Sequence, residues 1–409
     1  MQTQTLRYNY RLKPKPEQEE KLAQFGAYAR GVWNLMLSEC IRRYRYDNTF
    51  LSYGDMWALA KSLKAFEEFA WLKAFDQAAL QQVLRDLDEA LRNATNKKRI
   101  QRFPKHKVSY KKKKRHDDAF RCVSTNNNVR LENGCLRIPK IGLVPIVLHR
   151  KLVSNIKSVT IKFQHGKWTA SIVQEVPIAE PKHRFNAVSG YDINSNQIIV
   201  GSNGLDKDNP KYLKQSEQKL KQLQRQLARR NKGSARWHKT KKRINKLHGR
   251  IARQRHDMLH QLSNTIAKAS DLVIFEDLNV RGMQRFNGRM VGDNGMAKIT
   301  DMVKYKVKRE GGLYHEMHRY TKSTGVCVSC HHEHSLTLHD RQFTCTNCET
   351  HQVRDVTSAH TIERIGVNEL IAAGVVVREI PNAQEKLSGK TNVFKRLKFD
   401  NGLEKNEVA

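Results

Sequence analysis

Cys327-Val-Ser-Cys330, Cys345-Thr-Asn-Cys348 and then Val353-Arg354-Asp355-Val356 decide how the last third of this chain is read. Two Cys-x-x-Cys pairs separated by a short polar insert can bring four thiolates together tetrahedrally on one zinc. The insert, His331 to Thr344, is rich in His and Thr and too polar to build a core of its own. A metal would serve as that core, since its binding free energy is folding free energy. Two disulfides, or four buried thiols, are the alternatives; disulfides need an oxidising compartment, and nothing in the sequence points to one. Four protein thiolates would also fill the zinc's coordination, which makes Cys327, Cys330, Cys345 and Cys348 a structural site. Chemistry has to be sought elsewhere.

Composition narrows the class. The chain has 409 residues, enough for two or three domains with cores of their own. Its 75 Lys and Arg outnumber 40 Asp and Glu, a formal charge of +35. Such an excess of one sign self-repels until a polyanion neutralises it, and nucleic acid is the expected partner. No apolar run reaches transmembrane length, and Met1-Gln-Thr-Gln-Thr-Leu-Arg-Tyr lacks the apolar segment of a signal peptide. Seven cysteines, four in zinc spacing and three scattered (Cys40, Cys122, Cys135), fit a reducing cytosol.

Leu6, Tyr8, Tyr10 and Leu12 alternate with polar residues and predict a half-buried strand, ended by Pro14 and Pro16. Helical spacing follows over Glu17–Tyr46, around Met56, Leu59 and Leu63, and from Phe75 to Lys97. Between Gln101 and Arg115 cations interleave with aromatics: Arg102, Phe103, Lys105, Tyr110, Lys111 and Lys112 are candidate contacts to phosphates and stacked bases. A solvated linker is the alternative. From Phe120 to Val173 the pattern is strand-rich, with turns at Asn133-Gly134 and His165-Gly166. These strands predict a β-module, a barrel that the first strand joins, with the helical block inserted after that strand.

Beyond Pro177 and Pro181 a second domain is expected. Asn186–Asp192 reads as a strand and Gln197–Val200 as its return partner. A long basic helical pair follows, broken at Asn231-Lys-Gly-Ser234, with Arg229 and Arg230 as candidate nucleic-acid contacts. The apolar run Asp271-Leu-Val-Ile-Phe-Glu276-Asp277 ends in two carboxylates, costly unless they are solvated or paired with cations. Asp192 ends the earlier strand in the same way, and Asp355 precedes a helical run from Thr357 to Ala373. Three such acids can converge on a pair of divalent ions that clamp a phosphoryl displacement, though spacing alone leaves convergence open. Hard carboxylates favour Mg²⁺ or Mn²⁺, whereas the cysteines favour Zn²⁺.

Gly190-Tyr-Asp192, Ile274-Phe-Glu276-Asp277-Leu278-Asn279-Val280, the two Cys-x-x-Cys pairs and the trailing Arg354-Asp355 closely resemble the TnpB family. These are transposon-encoded proteins of the OrfB type, related to type V CRISPR effector nucleases. Arg102-Phe-Pro-Lys105 and Leu136-Arg-Ile-Pro-Lys-Ile-Gly142 extend the resemblance over nearly the whole chain. It implies an α/β protein with β-barrel and helical modules: a wedge-type β-barrel from residues 1–15 and 100–180, carrying a helical recognition module at 16–99. It further implies a RuvC-like nuclease domain of RNase H fold from 185–320 and 353–378, split by a zinc ribbon at 321–352. A polar tail at 381–409 is expected to be disordered. The implied activity is RNA-guided cleavage of double- and single-stranded DNA by a monomer carrying one RNA, transcribed from the element's end, in the prokaryotic cytosol. The implied catalytic acids are Asp192, Glu276 and Asp355, holding two Mg²⁺ or Mn²⁺ ions. A silent RNA-guided repressor and a DNA-joining transposase are the other readings. The sequence departs from the family pattern at Asn194, Val353, Thr357 and Ser358, and at His331 and Glu349, where glycines are expected after the second and fourth cysteines.

Overall fold

The computed structural model describes residues 2–95, 108–112, 119–182, 184–185, 187–194, 197–278, 295–319, 321–337, 340–373, 376–377 and 397–398. The chain divides into two compact units, Thr3–Val176 and Pro177–Ala409, the latter joined by the first two residues. The expected tail at 381–409 lies outside the described residues, except for Leu397–Lys398. The Lys97-Lys98-Arg99 run and Asn279-Val280 lie wholly outside them.

The first unit opens on strand β1 (Thr3–Leu12), with Leu6, Tyr10 and Leu12 buried as their alternation requires. Pro16 then starts helix α1 (Pro16–Asp47), its fixed φ suiting the first helical position. The Lys15 amide donates to Gln18 Oε1 at 3.0 Å, and Asn48 in the left-handed region ends the helix. Helix α2 (Tyr53–Leu63), the single turn α3 (Trp71–Ala74) and α4 (Gln77–Thr95) complete the inserted block. Strands β2 (Ala119–Val123), β3 (Arg130–Glu132), β4 (Cys135–Ile138), β5 (Gly142–Val147), β6 (Ser158–Gln164) and β7 (Lys167–Pro177) follow. Asn133 and Gly134 both take positive φ, so β3 and β4 are joined by the tight turn that the dipeptide predicts. The sheet order is β2-β6-β7-β1-β5-β4-β3, with β1 in the middle and β2 and β3 at its two ends. Phe25, Phe75 and Phe120, with centroids 5.4 Å apart in two pairs, tie the helices to this sheet in one core.

The second unit runs β8 (Arg184–Phe185), β9 (Val188–Asp192), β10 (Gln197–Gly201), β11 (Asp206–Asp208), α5 (Tyr212–Ala228), α6 (Ala235–Ala269) and β12 (Leu272–Glu276). It continues through α7 (Met296–Arg309), β13 (Leu313–Met317), β14 (Gln342–Thr344), β15 (His351–Val353), α8 (Arg354–Ala372), β16 (Val376–Val377) and β17 (Leu397–Lys398). Its main sheet has the order β11-β10-β9-β12-β13; β12 lies parallel to both neighbours, and β10 runs antiparallel to β9. Strand β12, paired on both sides, is buried on both faces, which explains its unbroken apolar run. Val273 and Phe275 pack with Leu262, Ile266, Ile299 and Val303 of α6 and α7. Leu272 and Ile274 pack with Ile362, Val367 and Leu370 of α8. No helix among the described residues is long and apolar enough to cross a membrane.

Helix α8 starts at Arg354, three residues earlier than the sequence predicts, so Asp355 sits inside its first turn. The helix lies against β9 at a point where no side chain fits. A Cβ on Gly190 would stand 2.3 Å from the Ala359 carbonyl oxygen and 2.4 Å from the Glu363 amide nitrogen. Gly366 makes the reciprocal approach, its absent Cβ leaving room for Ile274 Cγ2. Gly190→Ala should therefore destabilise the protein by about 1–3 kcal/mol or more in urea denaturation, because backbone, not a flexible side-chain end, must move. Gly54→Ala is the control: its new Cβ meets only Ser52 Oγ at 3.6 Å within helix α2, so stability should hold or rise by up to about 1 kcal/mol. Equal effects of the two substitutions would contradict this account.

Candidate functional site

Asp192 and Glu276 end the parallel neighbours β9 and β12, one residue beyond the paired Tyr191 and Phe275. In-register parallel strands send both carboxylates from the same edge of the sheet to the same side. Asp355 reaches that edge from the N-terminal turn of α8, where the helix dipole favours an anion. Asp355 and Glu276 both press on Asp192. Asp192 is pushed up to about 7, first by burial and then by the charges of Asp355 and Glu276, against relief from Arg354 and a hydrogen bond with Asn194. Glu276 is also raised, mainly by burial, while Ser323 Oγ donates to its Oε2 at 3.1 Å.

Asp355 is buried and held by cations. Arg354 Nε donates to Oδ1 at 3.1 Å, Arg341 Nη1 to Oδ2 at 3.2 Å, and Asn194 Nδ2 to Oδ2 at 3.3 Å. Asp277 turns aside and pairs with Arg319 at 2.8 Å. Among the described residues the carboxylates do not form a closed ligand cluster as the cysteines do, in keeping with their mutual repulsion and the arginines on Asp355. Their donor set is nonetheless all hard oxygen, short of positive charge at Asp192, and so fits Mg²⁺ or Mn²⁺. Sequence reasoning passed over Arg341 and Ser323 and read Asn194 only as a departure. No motif marks them; they are found only by their contacts.

The four cysteine sulfurs lie within 4.8 Å of one another, with Cys327–Cys348 and Cys330–Cys345 both at 3.5 Å. Tetrahedral zinc thiolates place neighbouring sulfurs about 3.8 Å apart, so the group fits zinc. Gln352 Nε2 donates to Cys327 Sγ at 2.9 Å, and hydrogen bonds from Asn347 and the His332 backbone hold Cys330 down at about 6. Both knuckles close alike: the His331 amide donates to the Cys327 carbonyl at 3.0 Å and the Glu349 amide to the Cys345 carbonyl at 2.9 Å. His331 and Glu349 take φ of 62° and 56°, the left-handed conformation that glycine would adopt without strain.

The candidate nucleic-acid contacts scatter. Arg102, Phe103 and Lys105 lie outside the described residues. Tyr110 and Lys112 are exposed, and the Lys111 ammonium sits 3.9 Å from the Trp33 ring centroid, its backbone held by Asn34. In the second unit Arg229 is exposed, whereas Arg230 is fastened to the Arg236 carbonyl at 2.6 Å and to Thr240.

Three family models match the chain: OrfB_IS605, described as a "probable transposase", over residues 171–287, the OrfB "helix-turn-helix domain" over 1–48, and the "Cas12f1-like, TNB domain" over 297–362. The chain belongs to the TnpB (OrfB) family. The first and third matches take in Asp192, Glu276, all four cysteines and Asp355. In this TnpB protein the helix-turn-helix stretch is a strand followed by one 32-residue helix. A relative from Escherichia coli K12, named a putative RNA-guided DNA endonuclease InsQ, is 29% identical over 314 residues, 74% of this chain and 76% of that one. A putative RNA-guided DNA endonuclease from Streptomyces pristinaespiralis is 28% identical over 394 residues, 94% of each chain. Among solved structures, the complex of Cas12f1 with sgRNA and target DNA aligns with 88% of this chain and 99% of that chain, at 14% identity and a TM-score of 0.34.

Two measurements bear on these centres. His331→Gly and Glu349→Gly should each raise the stability of the zinc-loaded protein by about 1 kcal/mol, read as resistance to a chelator and to heat. Unchanged or lowered resistance in both would refute the strain. The second concerns pH. Folding raises Asp192 from the ordinary 3.8 to about 7, so its contribution to stability is full below about 3.8 and is lost as pH rises through about 7. Without added Mg²⁺, Asp192→Asn should therefore exceed wild type in stability at pH 8 by roughly 1–3 kcal/mol and show a flatter decline from pH 5 to 8. Parallel curves for the two proteins would dismiss that charge repulsion.

Proposed function

We propose that this TnpB protein is an RNA-guided DNA endonuclease that cuts phosphodiester bonds with Asp192, Glu276 and Asp355. The observation that carries the reading is the placement of these three acids at the ends of β9 and β12 and the start of α8, where the charges of Asp355 and Glu276 both press on Asp192. The names of the relatives from Escherichia coli and Streptomyces pristinaespiralis support the same reading. The sheet order, with parallel β9, β12 and β13 and an antiparallel β10, suits a RuvC-like RNase H domain. That domain would span 185–320 and 353–378 around a zinc ribbon at 321–352. The first unit, with its seven-stranded sheet, would be the wedge-type β-barrel of 1–15 and 100–180 carrying the helical recognition module at 16–99.

The three carboxylates would hold two Mg²⁺ or Mn²⁺ ions, which when bound would supply an activated water and charge to steady the leaving 3′ oxygen. Ser323 holds Glu276, while Asn194, Arg341 and Arg354 hold Asp355, so the ligands are aimed before metal or DNA arrives. Base pairing with the bound RNA would select the target, and the protein would read shape, charge and a short flanking motif. One RNA per monomer, double- or single-stranded DNA as target and a cytosolic setting complete the proposal.

Expressed with its native flanking DNA, the protein should copurify with one discrete RNA transcribed from the element's end. Asp192→Asn and Glu276→Gln should each slow guided cleavage by about 10³-fold or more with RNA content unchanged. Metal-dependent cleavage retained in both variants would overturn the assignment of the acids. A wild-type complex that binds its target without cutting would make it a repressor, and joined DNA ends would make it a transposase.

A further inference from the structure

Helices α5 and α6 form a hairpin whose charge far exceeds what solubility needs. Glu217 and Asp257 are its acids between residues 211 and 257, against a dense series of Lys and Arg. Only the C-terminal part of α6, from Met258, enters the core with β9 and β12; farther out, Leu223 is buried on α5, and Ile244 and Ile251 on α6. On the side of α5 away from Leu223, Gln218, Lys221, Gln222, Arg225, Gln226 and Arg229 line an open groove of about 490 Å³. Their spacing puts all six on one helical face. Lys221 pairs with Glu217 at 3.0 Å; the other five make no ion pair or side-chain hydrogen bond with described residues.

The pattern on this face is cations alternating with amides. A surface built for phosphates alone would need only the cations, since phosphate recognition is electrostatic. Side-chain amides both donate and accept; phosphate oxygens can take only the donated hydrogen bond, whereas a ribose 2′-hydroxyl, itself donor and acceptor, can use both. Double-stranded RNA offers both groups together across a wide, shallow minor groove, where recognition is by 2′-hydroxyl and phosphate contacts. From Gln218 to Arg229 the face runs about 16 Å along the helix, enough to cross such a groove. We infer that this face of α5 docks a double-stranded segment of RNA, with Lys221, Arg225 and Arg229 on phosphates and Gln218, Gln222 and Gln226 on sugar hydroxyls. The inference rests on the RNA-guided reading and deepens it, since it assigns a stem of the bound RNA to a place on the protein.

The test uses the full chain and two probes, an RNA duplex and a DNA duplex of the same sequence, with affinities measured over a range of salt. Gln218→Ala/Gln222→Ala/Gln226→Ala keeps helix propensity and charge. It should weaken RNA-duplex binding about tenfold, the worth of one or two net hydrogen bonds, and leave DNA binding and the salt dependence unchanged. Arg225→Gln/Arg229→Gln should weaken both probes and lower the salt slope by about one for each phosphate contact removed. Equal losses for RNA and DNA in the glutamine variant would replace RNA with any duplex, and no loss in either variant would remove the face altogether. Either result, in a wild-type protein that still cleaves DNA with its copurified RNA, overturns this inference alone. A wild-type protein that carries no RNA overturns the reading beneath it.

Discussion

The backbone-to-backbone approach of α8 to β9 is the constraint on which the candidate site depends. Carbonyl and amide groups of α8 occupy the space that any side chain at position 190 would need. The same helix settles on β12 through Gly366. Two such approaches leave the helix little freedom to slide, since packed interiors yield poorly to even one extra methyl group. Asp355, in its first turn, is thereby carried to the edge where β9 and β12 deliver Asp192 and Glu276. Three acids meet because three rigid elements meet; no loop among the described residues has to place them.

That meeting costs free energy, and the rest of the protein offsets it at two ranges. Close by, Arg354 and Arg341 neutralise Asp355, and Arg354 also relieves Asp192, yet Asp192 still stands near 7. What remains is a local deficit of positive charge inside a chain of net charge +35. Screening confines exposed charges to about 8 Å at physiological salt, so the two fields act on different partners. The distributed cations of α5 and α6 favour a polyanion over the surface, whereas the carboxylates at the sheet edge, all hard oxygen, would suit small divalent ions at short range. A polyanion that brings its phosphate to this edge would meet both.

Much of this was legible because it rests on periodicity or fixed spacing. The alternation of β1, the unbroken apolar run of β12, the turn at Asn133-Gly134 and the cysteine pairs each state a local rule that the fold obeys. Helix α7 and strand β13 escaped notice: Leu313–Met317 holds three ionisable residues in five and pairs as an edge strand, with no run or alternation to announce it. The early start of α8 escaped because Arg354 and Asp355 look like loop residues, although both are buried there in each other's company. Contacts between distant residues, such as Arg341 and Asn194 with Asp355, leave no periodic trace at all. Lys111 and Arg230 look free in sequence, yet a tryptophan face and a helix turn claim them.

The cysteine cluster and the carboxylates are chemically separate but mechanically joined. Strand β15 runs directly into α8, and its Gln352 bonds both the Cys327 sulfur and the Val328 amide. The Arg354 amide donates to the Arg341 carbonyl at 2.9 Å, so the insert between the knuckles holds the N-terminus of α8 by its backbone as well as by the Arg341 side chain. A zinc that fixes the knuckles thus fixes the start of the helix and the direction of Asp355. Soft thiolates prefer zinc over magnesium or manganese, so neither of those hard ions readily takes its place at the cysteines. A metal at the cysteines would then act on Asp355 without touching it, by fixing the strand and the insert that hold the start of α8.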